Sequence, residues 1–222
     1  MGKNHTQQKK FWEDTKRTKR RHPDHPVVRA FVLPKINFIK ENINLKKEDT
    51  LLDVGCGNGF FTYHFAKLCD VTGLDFSKQM LKINVHDKLI HGDAENLPFE
   101  DNSFNIVFCS NLLHHLKNPE TAIKEMKRVA KKYIIISEPN RNNPLMFLFG
   151  LIKKVERQSL KFTKKYLNKI CKKINIFPFK SLISGFIYPN KTPNIKWLLF
   201  LLEKFNFNQP FGAYVTIIYK KQ

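Results

Sequence analysis

The chain has 222 residues and a mass of 26.2 kDa, and 42% of its residues are hydrophobic, which suits one domain with elaborations and excludes whole-chain disorder. No apolar run approaches the roughly 18 residues of a membrane-spanning helix; the longest, 145–152, has eight and contains a glycine. The polar, basic N-terminus has no apolar segment of the kind a secretory signal needs. Four cysteines, Cys56, Cys69, Cys109 and Cys171, stand far apart with no CxxC or Cys/His cluster, so neither a metal site nor a disulfide framework is expected, and reduced thiols in a cytoplasmic protein are the plain reading.

The formal net charge of +20 is unevenly spread. Residues 1–50 carry a net +7, 51–100 a net −3, 101–150 a net +3 and 151–222 a net +13. Coding bias toward Lys, Asn, Ile and Phe would raise lysine everywhere, so the near-neutral middle points to a catalytic or cofactor-binding centre with basic flanks facing an anionic partner. Nucleic acid, anionic lipid and anionic small molecules all meet that description.

Residues 1–26 form a basic lead-in with Lys16, Arg17, Lys19, Arg20 and Arg21, punctuated by Pro23 and Pro26, and 27–45 show helical spacing around Pro34. From Thr50 short apolar runs alternate with helical stretches, which predicts βαβ units and a parallel sheet. Strands are expected at 51–54, 71–74, 89–91, 105–109 and 133–137, with helices at 60–68, 77–84 and 119–130. After Pro139 the alternation stops. An apolar stretch, a lysine-rich segment and an aromatic one lead to a helix at 194–205 and a strand-like run at 213–219.

The sharpest local signal is LLDVGCGNGF at 51–60, where a buried strand ends and Gly55, Gly57 and Gly59 follow at alternate positions before a helix. Such a loop lets a ligand approach the backbone and aims the first helical N–H groups at it. Asp75 ends the second strand, 20 residues after Gly55, where a carboxylate can accept hydrogen bonds from ribose hydroxyls. Gly92-Asp93-Ala94-Glu95 follows the third strand, where Asp93 can meet the exocyclic amine of a purine. Taken singly, these are an ordinary turn, a helix cap and a charged loop; in order, each at a strand's carboxyl end, they form a nucleotide-cofactor site. The spacing is neither a P-loop, which needs GK[ST], nor the dinucleotide pattern G-x-G-x-x-G.

The runs LLDVGCGNGFF (51–61), VTGLDFSKQML (71–81), HGDAENLPFEDNSFNIVFCSNLLHHL (91–116) and IISEPN (135–140) resemble the class I S-adenosylmethionine (SAM)-dependent methyltransferases, in the branch of ubiquinone/menaquinone-type and small-molecule enzymes. The resemblance implies an α/β, Rossmann-like fold: a seven-stranded, mostly parallel sheet with helices on both faces and an antiparallel last strand, which 213–219 fits. By motif position, Asp53, Gly55, Cys56, Gly57 and Gly59 would surround the methionine part of SAM, Asp75 would bind the ribose and Phe76 would pack on the adenine. Asp93 and Ala94 would meet the adenine edge, and Ser110 and Asn111 would line the sulfonium side. His114 and His115 are the candidate catalytic bases, with Glu138 behind them; core or capping roles fit these residues equally, Glu138 then bonding toward the glycine loop. Asp75 and Asp93 are 18 positions apart, so the second helix is expected to be short.

The organisation expected is a basic N-terminal helical arm at 1–45 and a methyltransferase domain at 46–222, with a basic and apolar lid-like insert at about 140–190. Lys161, Lys164, Lys165, Lys169, Lys172 and Lys173 interleave with apolar residues as an amphipathic helix with a basic face. That face is expected to be solvated, to lie on a membrane surface, or to bind RNA, in that order. Residues 1–6 match a myristoylation pattern, a short match that arises easily by chance. The expected function is methyl transfer from SAM to a small or lipid-like acceptor in a cytoplasmic, membrane-peripheral setting. The rivals are an RNA or protein methyltransferase, and a non-catalytic module that binds an anionic partner. Oligomeric state is left open.

Overall fold

The computed structural model describes residues 11–14 and 19–221; the 1–6 match, Lys16 and Arg17 lie outside the described residues. Seven strands form one sheet: β1 (Thr50–Val54), β2 (Asp70–Asp75), β3 (Leu89–His91), β4 (Phe104–Ser110), β5 (Ala130–Pro139), β6 (Phe177–Ser184) and β7 (Tyr214–Lys220). Their order is β3-β2-β1-β4-β5-β7-β6. The first five pair in parallel, and β7 runs antiparallel between β5 and β6. The mostly parallel sheet with an antiparallel last strand is thus present, and the strands expected at 51–54, 71–74, 89–91, 105–109 and 133–137 all fall within observed ones.

β6 is the strand the sequence reading left inside the lid-like insert. It is an edge strand with Pro178 and Lys180 at a register shift, and its first four residues are exposed. Proline and lysine suit an edge that must not recruit another chain, but they also mask the alternation from which a strand is read.

Helices cover both faces. On one, α1 (Pro26–Ile43) starts with the His25 side chain accepting from the Val27 N–H and ends at Asn44 in a left-handed conformation. It buries Val28, Phe31, Val32, Ile36 and Ile39 against Leu51, Ile106 and Phe108 of the sheet. The segment expected as a basic helical arm therefore contains a core helix. Lys35 of α1 is buried as well, its ammonium on the Phe31 carbonyl and 3.7 Å from the Phe31 ring centre, and burial lowers its pKa to about 7. Behind β1, the helix expected at 60–68 contracts to α2 (Thr62–Phe65), and α3 (Lys78–Lys82) is as short as the spacing implied.

On the other face α4 (Pro119–Val129) buries Ala122, Ile123, Met126 and Val129. After β5 come α5 (Pro144–Ile152), a 3-10 segment (Lys154–Lys161), and α6 (Lys164–Lys173). The lysine-rich helix is α6: Leu167, Ile170 and Cys171 join the core beside α4, and Lys173 pairs with Glu120 at 3.3 Å. The 140–190 segment thus divides. Its second half completes the sheet and one helical layer, and α5 and the 3-10 segment stay near the strand ends. α7 (Lys196–Glu203) lies within the helix expected at 194–205.

The parallel register levels the carboxyl ends of the central strands. Val54 pairs with both Leu74 and Cys109, and Ser110 pairs with Ser137. The loops after β1, β2, β4 and β5 therefore converge on one side of the sheet, as expected for a crevice at strand ends. The centre depends on Phe108, fully buried with the Phe61 and Phe65 rings 4.8 and 5.1 Å away. Phe108→Ala is expected to cost about 3–5 kcal/mol of stability, read as a lower urea midpoint.

Candidate active site

The loop after β1 is built to leave one opening. The Gly55 and Cys56 N–H groups both donate to the Leu74 carbonyl, which ties the turn to β2. Gly59 has φ +86°, and a Cβ there would lie 2.4 Å from Asn84 Oδ1. Asn84 in turn donates to the Gly57 carbonyl at 2.9 Å. Gly57 has φ +52°, and a Cβ there would meet nothing within 4 Å, so its face is free for a ligand.

Two carboxylates hold this loop. Asp75 Oδ2 accepts from the Gly57 N–H at 2.7 Å, and Oδ1 accepts from the Ser77 N–H at 2.8 Å. Burial raises the Asp75 pKa despite these bonds. Asp53 accepts from the Thr62 hydroxyl at 2.6 Å. Its burial, opposed by that hydroxyl and reinforced by the Asp75 charge, raises its pKa to about 7.

These groups face a cavity of about 420 Å³. Of the residues expected to hold a cofactor, Asp53, Gly55, Cys56, Gly57, Asp75, Phe76, Asp93, Ala94, Ser110 and Asn111 all line it. Gly59 does not; it is spent on the contact with Asn84. Asn111 sits at φ 52°, tolerated by asparagine, and its N–H donates to the Ser137 carbonyl. Cys56 is buried and its thiol pKa is pushed well up, by desolvation first, so it is an unreactive wall.

The far side of the cavity comes from residues distant in sequence. Met146 and Phe149 of α5, Glu156 of the 3-10 segment, Tyr188 and Tyr214 line it, as do Trp12 and Arg20. The N-terminal stretch is strapped down. Arg21 donates to the Pro189 and Thr192 carbonyls, the Arg21 carbonyl accepts from Asn58, and the Trp12 carbonyl accepts from Ser77. The basic lead-in thus contributes chain-fastening charges as well as exposed ones.

His114 and His115 both line the cavity, in unlike states. His114 Nδ1 donates to Glu138 Oε2 at 2.5 Å and Nε2 donates to Glu156 Oε2 at 3.2 Å. Burial opposes its charge, but the two carboxylates prevail and raise its pKa to about 9. With both nitrogens engaged, His114 cannot take a proton from an acceptor, contrary to the base role expected for it. His115 is the reverse: burial and the His114 charge lower its pKa to about 3, and its Nδ1 is buried without a hydrogen-bond partner. Glu138 bonds the loop after β4, through the Leu112 and Leu113 N–H groups, rather than the glycine loop. Arg20 and Arg21 were read only as part of the basic lead-in, and Trp12, Asn84 and Glu156 escaped the sequence reading; of these three only Glu156 carried a signal, as one of two acidic residues among fifteen basic ones in 151–222.

Comparison with known proteins agrees with this geometry. A family model described as a methyltransferase domain matches residues 52–136. A demethylmenaquinone methyltransferase of Staphylococcus haemolyticus is 36% identical over 130 residues, 53% of this chain and 54% of the relative, and one of Staphylococcus aureus is 38% identical over 104 residues, covering 42% and 43%. The chain thus spans about half the length of the curated relatives it matches. Among solved structures, a SAM-dependent methyltransferase of Thermotoga maritima superposes with a TM-score of 0.69 at 25% identity, covering 88% of this chain and 91% of that one. One from Aquifex aeolicus shares the fold at 16% identity, with a TM-score of 0.62 over 98% of both chains. Its sheet order and its glycine loop closed by Asp75 give the chain the fold of the class I SAM-dependent methyltransferases, and residues 52–136 match the methyltransferase domain.

Proposed function

We propose that this chain transfers a methyl group from SAM to a small, lipid-like acceptor of the quinol type. The observation that carries the reading is the single cavity joining the open face of Gly57 and the Asp75 carboxylate to an apolar wall of Met146, Phe149 and Tyr214. Two Staphylococcus relatives act, by name, on demethylmenaquinone, which supports a lipid-like acceptor.

The residues fit the cofactor. Gly57 leaves room for close backbone approach, and Asp75 keeps lone pairs for ribose hydroxyls after serving Gly57 and Ser77. Phe76 and Ala94 offer apolar surface for the adenine, and Asp93 keeps one carboxylate oxygen beyond its bond to the Glu95 N–H. Asp53, Gly55 and Cys56 would surround the methionine portion, with Ser110 and Asn111 on the sulfonium side. When bound, SAM supplies an electrophilic methyl group that needs no activation by the protein.

The chain's task is then alignment and exclusion of water. Trp12 and the Arg21 strap cover the crevice. His114, held between Glu138 and Glu156, fixes the acceptor side of the cavity. His115 presents a neutral ring on the same side of the cavity.

The acceptor's entry is the basis for a membrane-peripheral site. The helix α5 that turns Met146 and Phe149 inward leaves Leu145, Leu148, Leu151 and Ile152 exposed. On α7, Trp197 and Phe200 are 68% and 63% exposed, and Met146 and Leu199 share one core cluster, which places the two helices on the same face. Monomers seldom expose apolar surface this concentrated, and the basic C-terminal third suits anionic lipid.

Three outcomes test the reading. Calorimetry is expected to give micromolar SAM binding. Asp75→Ala should weaken it more than tenfold, the loss of charged hydrogen bonds worth about 1.5–3 kcal/mol; Gly57→Ala should weaken it and also lower the thermal midpoint, because a Cβ is strained at φ +52°. The sulfonium charge favours ionised Asp53, whose pKa of about 7 means that the carboxylate forms as pH rises from 6 to 8. SAM affinity should therefore rise over that window with proton release, by about tenfold per unit of pKa displaced, and Asp53→Asn should flatten the profile. Finally, the protein should sediment with anionic but not zwitterionic vesicles, and Trp197→Glu with Phe200→Glu should release it; equal recovery on both lipids would remove the membrane reading.

A further inference from the structure

We infer that His114, His115 and Glu156 form a binding site for one divalent transition-metal ion, open to the acceptor side of the cavity, with Glu138 orienting His114. One ligand atom from each of the three residues lies within 4.8 Å of the others. A four-coordinate ion with bonds of about 2.0–2.2 Å needs such atoms roughly 3.3 Å apart. His114 Nε2 and Glu156 Oε2 are already at 3.2 Å, and a ligand atom of His115 lies within 4.8 Å of the other two residues' ligand atoms.

Three further observations favour an ion here. The first is the unmet lone pair. His115 Nδ1 is buried without a hydrogen-bond partner, and a bound ion would offer it one. The second is charge. Two carboxylates, Glu138 and Glu156, converge on the His114 imidazole with His115 beside it. A dication with both imidazoles neutral balances the cluster.

The third is the support around it. Glu138 Oε1 is pinned by the Leu112 and Leu113 N–H groups, and its Oε2 receives His114 Nδ1–H. That fixes the ring with Nε2 toward the cavity, the arrangement in which a carboxylate holds a metal-ligating histidine. Two histidines and one carboxylate, with the remaining position open, suit zinc, iron, manganese or cobalt better than magnesium or calcium. The sequence reading expected no metal because it found no CxxC or Cys/His cluster; Glu156 lies 41 positions from His115 and shares no motif with it.

Three protein ligands with an open position is the form of a catalytic rather than a structural centre. A hydroxyl oxygen of the acceptor in that position would lose its proton to solvent more readily and face the donor as an oxyanion. This role rests on the methyl-transfer reading; ion binding itself does not.

The test titrates the full-length, chelator-stripped protein with Co²⁺ alone, reading visible ligand-field absorption and paramagnetically shifted imidazole resonances. One saturable equivalent, two shifted imidazoles and displacement by Zn²⁺ are expected. His115→Ala and Glu156→Gln should each weaken Co²⁺ binding by about tenfold or more, and Glu138→Gln by about 10–100-fold. SAM calorimetry on the same samples reports whether each variant is folded. Absence of saturable Co²⁺ binding, or binding untouched by His115→Ala and Glu156→Gln, overturns the site and leaves the SAM reading standing. Co²⁺ binding without SAM binding in the native chain overturns the methyl-transfer reading and leaves the metal site. Should the variants fail to fold, the native protein decides, because saturating Co²⁺ without shifted imidazole resonances also overturns it.

Discussion

The site depends on a carboxylate that never reaches water. Glu138, at the end of β5, is fully buried and takes hydrogen bonds from the Leu112 and Leu113 N–H groups and from His114. Burying a carboxylate costs several kcal/mol unless such partners remain in place, so its surroundings are held to one arrangement. The backbone bonds fix the turn after β4, and with it Leu112, whose side chain fills the space beside Gly55. His114 extends the same constraint to Glu156, on a segment that arrives after α5. One group thus links the glycine loop, the acceptor wall and the sheet.

What could be read from the sequence was what is local. The strand ends, the glycine spacing, Asp75 and Asp93 declare themselves within a few residues each, because the chain must supply special backbone angles or a carboxylate at a strand end. Gly59 was identified as part of the loop, but its task, making room for Asn84, depends on a contact 25 positions away. Trp12 meets His115 across 103 positions, with ring centres 5.2 Å apart, and no short-range pattern announces such a pairing. β6 was missed because an edge strand with proline and lysine gives up the alternation by which strands are recognised.

The excess of positive charge has several destinations. On α6 the lysines face outward while Leu167 and Cys171 enter the core. Arg21 is consumed by backbone carbonyls, and Lys35 is withdrawn among aromatic rings. A net charge read from composition therefore overstates the field available to a partner, and its distribution over the surface is the relevant quantity.

The place of β7 in the sheet has a consequence for how the chain is made. β7 lies between β5 and β6, so β6 has no sheet neighbour until residues 214–220 are in position, and β5 presents a bare edge until then. The five parallel strands that carry the glycine loop emerge from the ribosome well before the strand that seals them. During that interval the hydrogen-bonding edge beside Ile134, Ile135 and Ile136 is open to neighbouring chains, and aggregation during synthesis competes with completion of the sheet there.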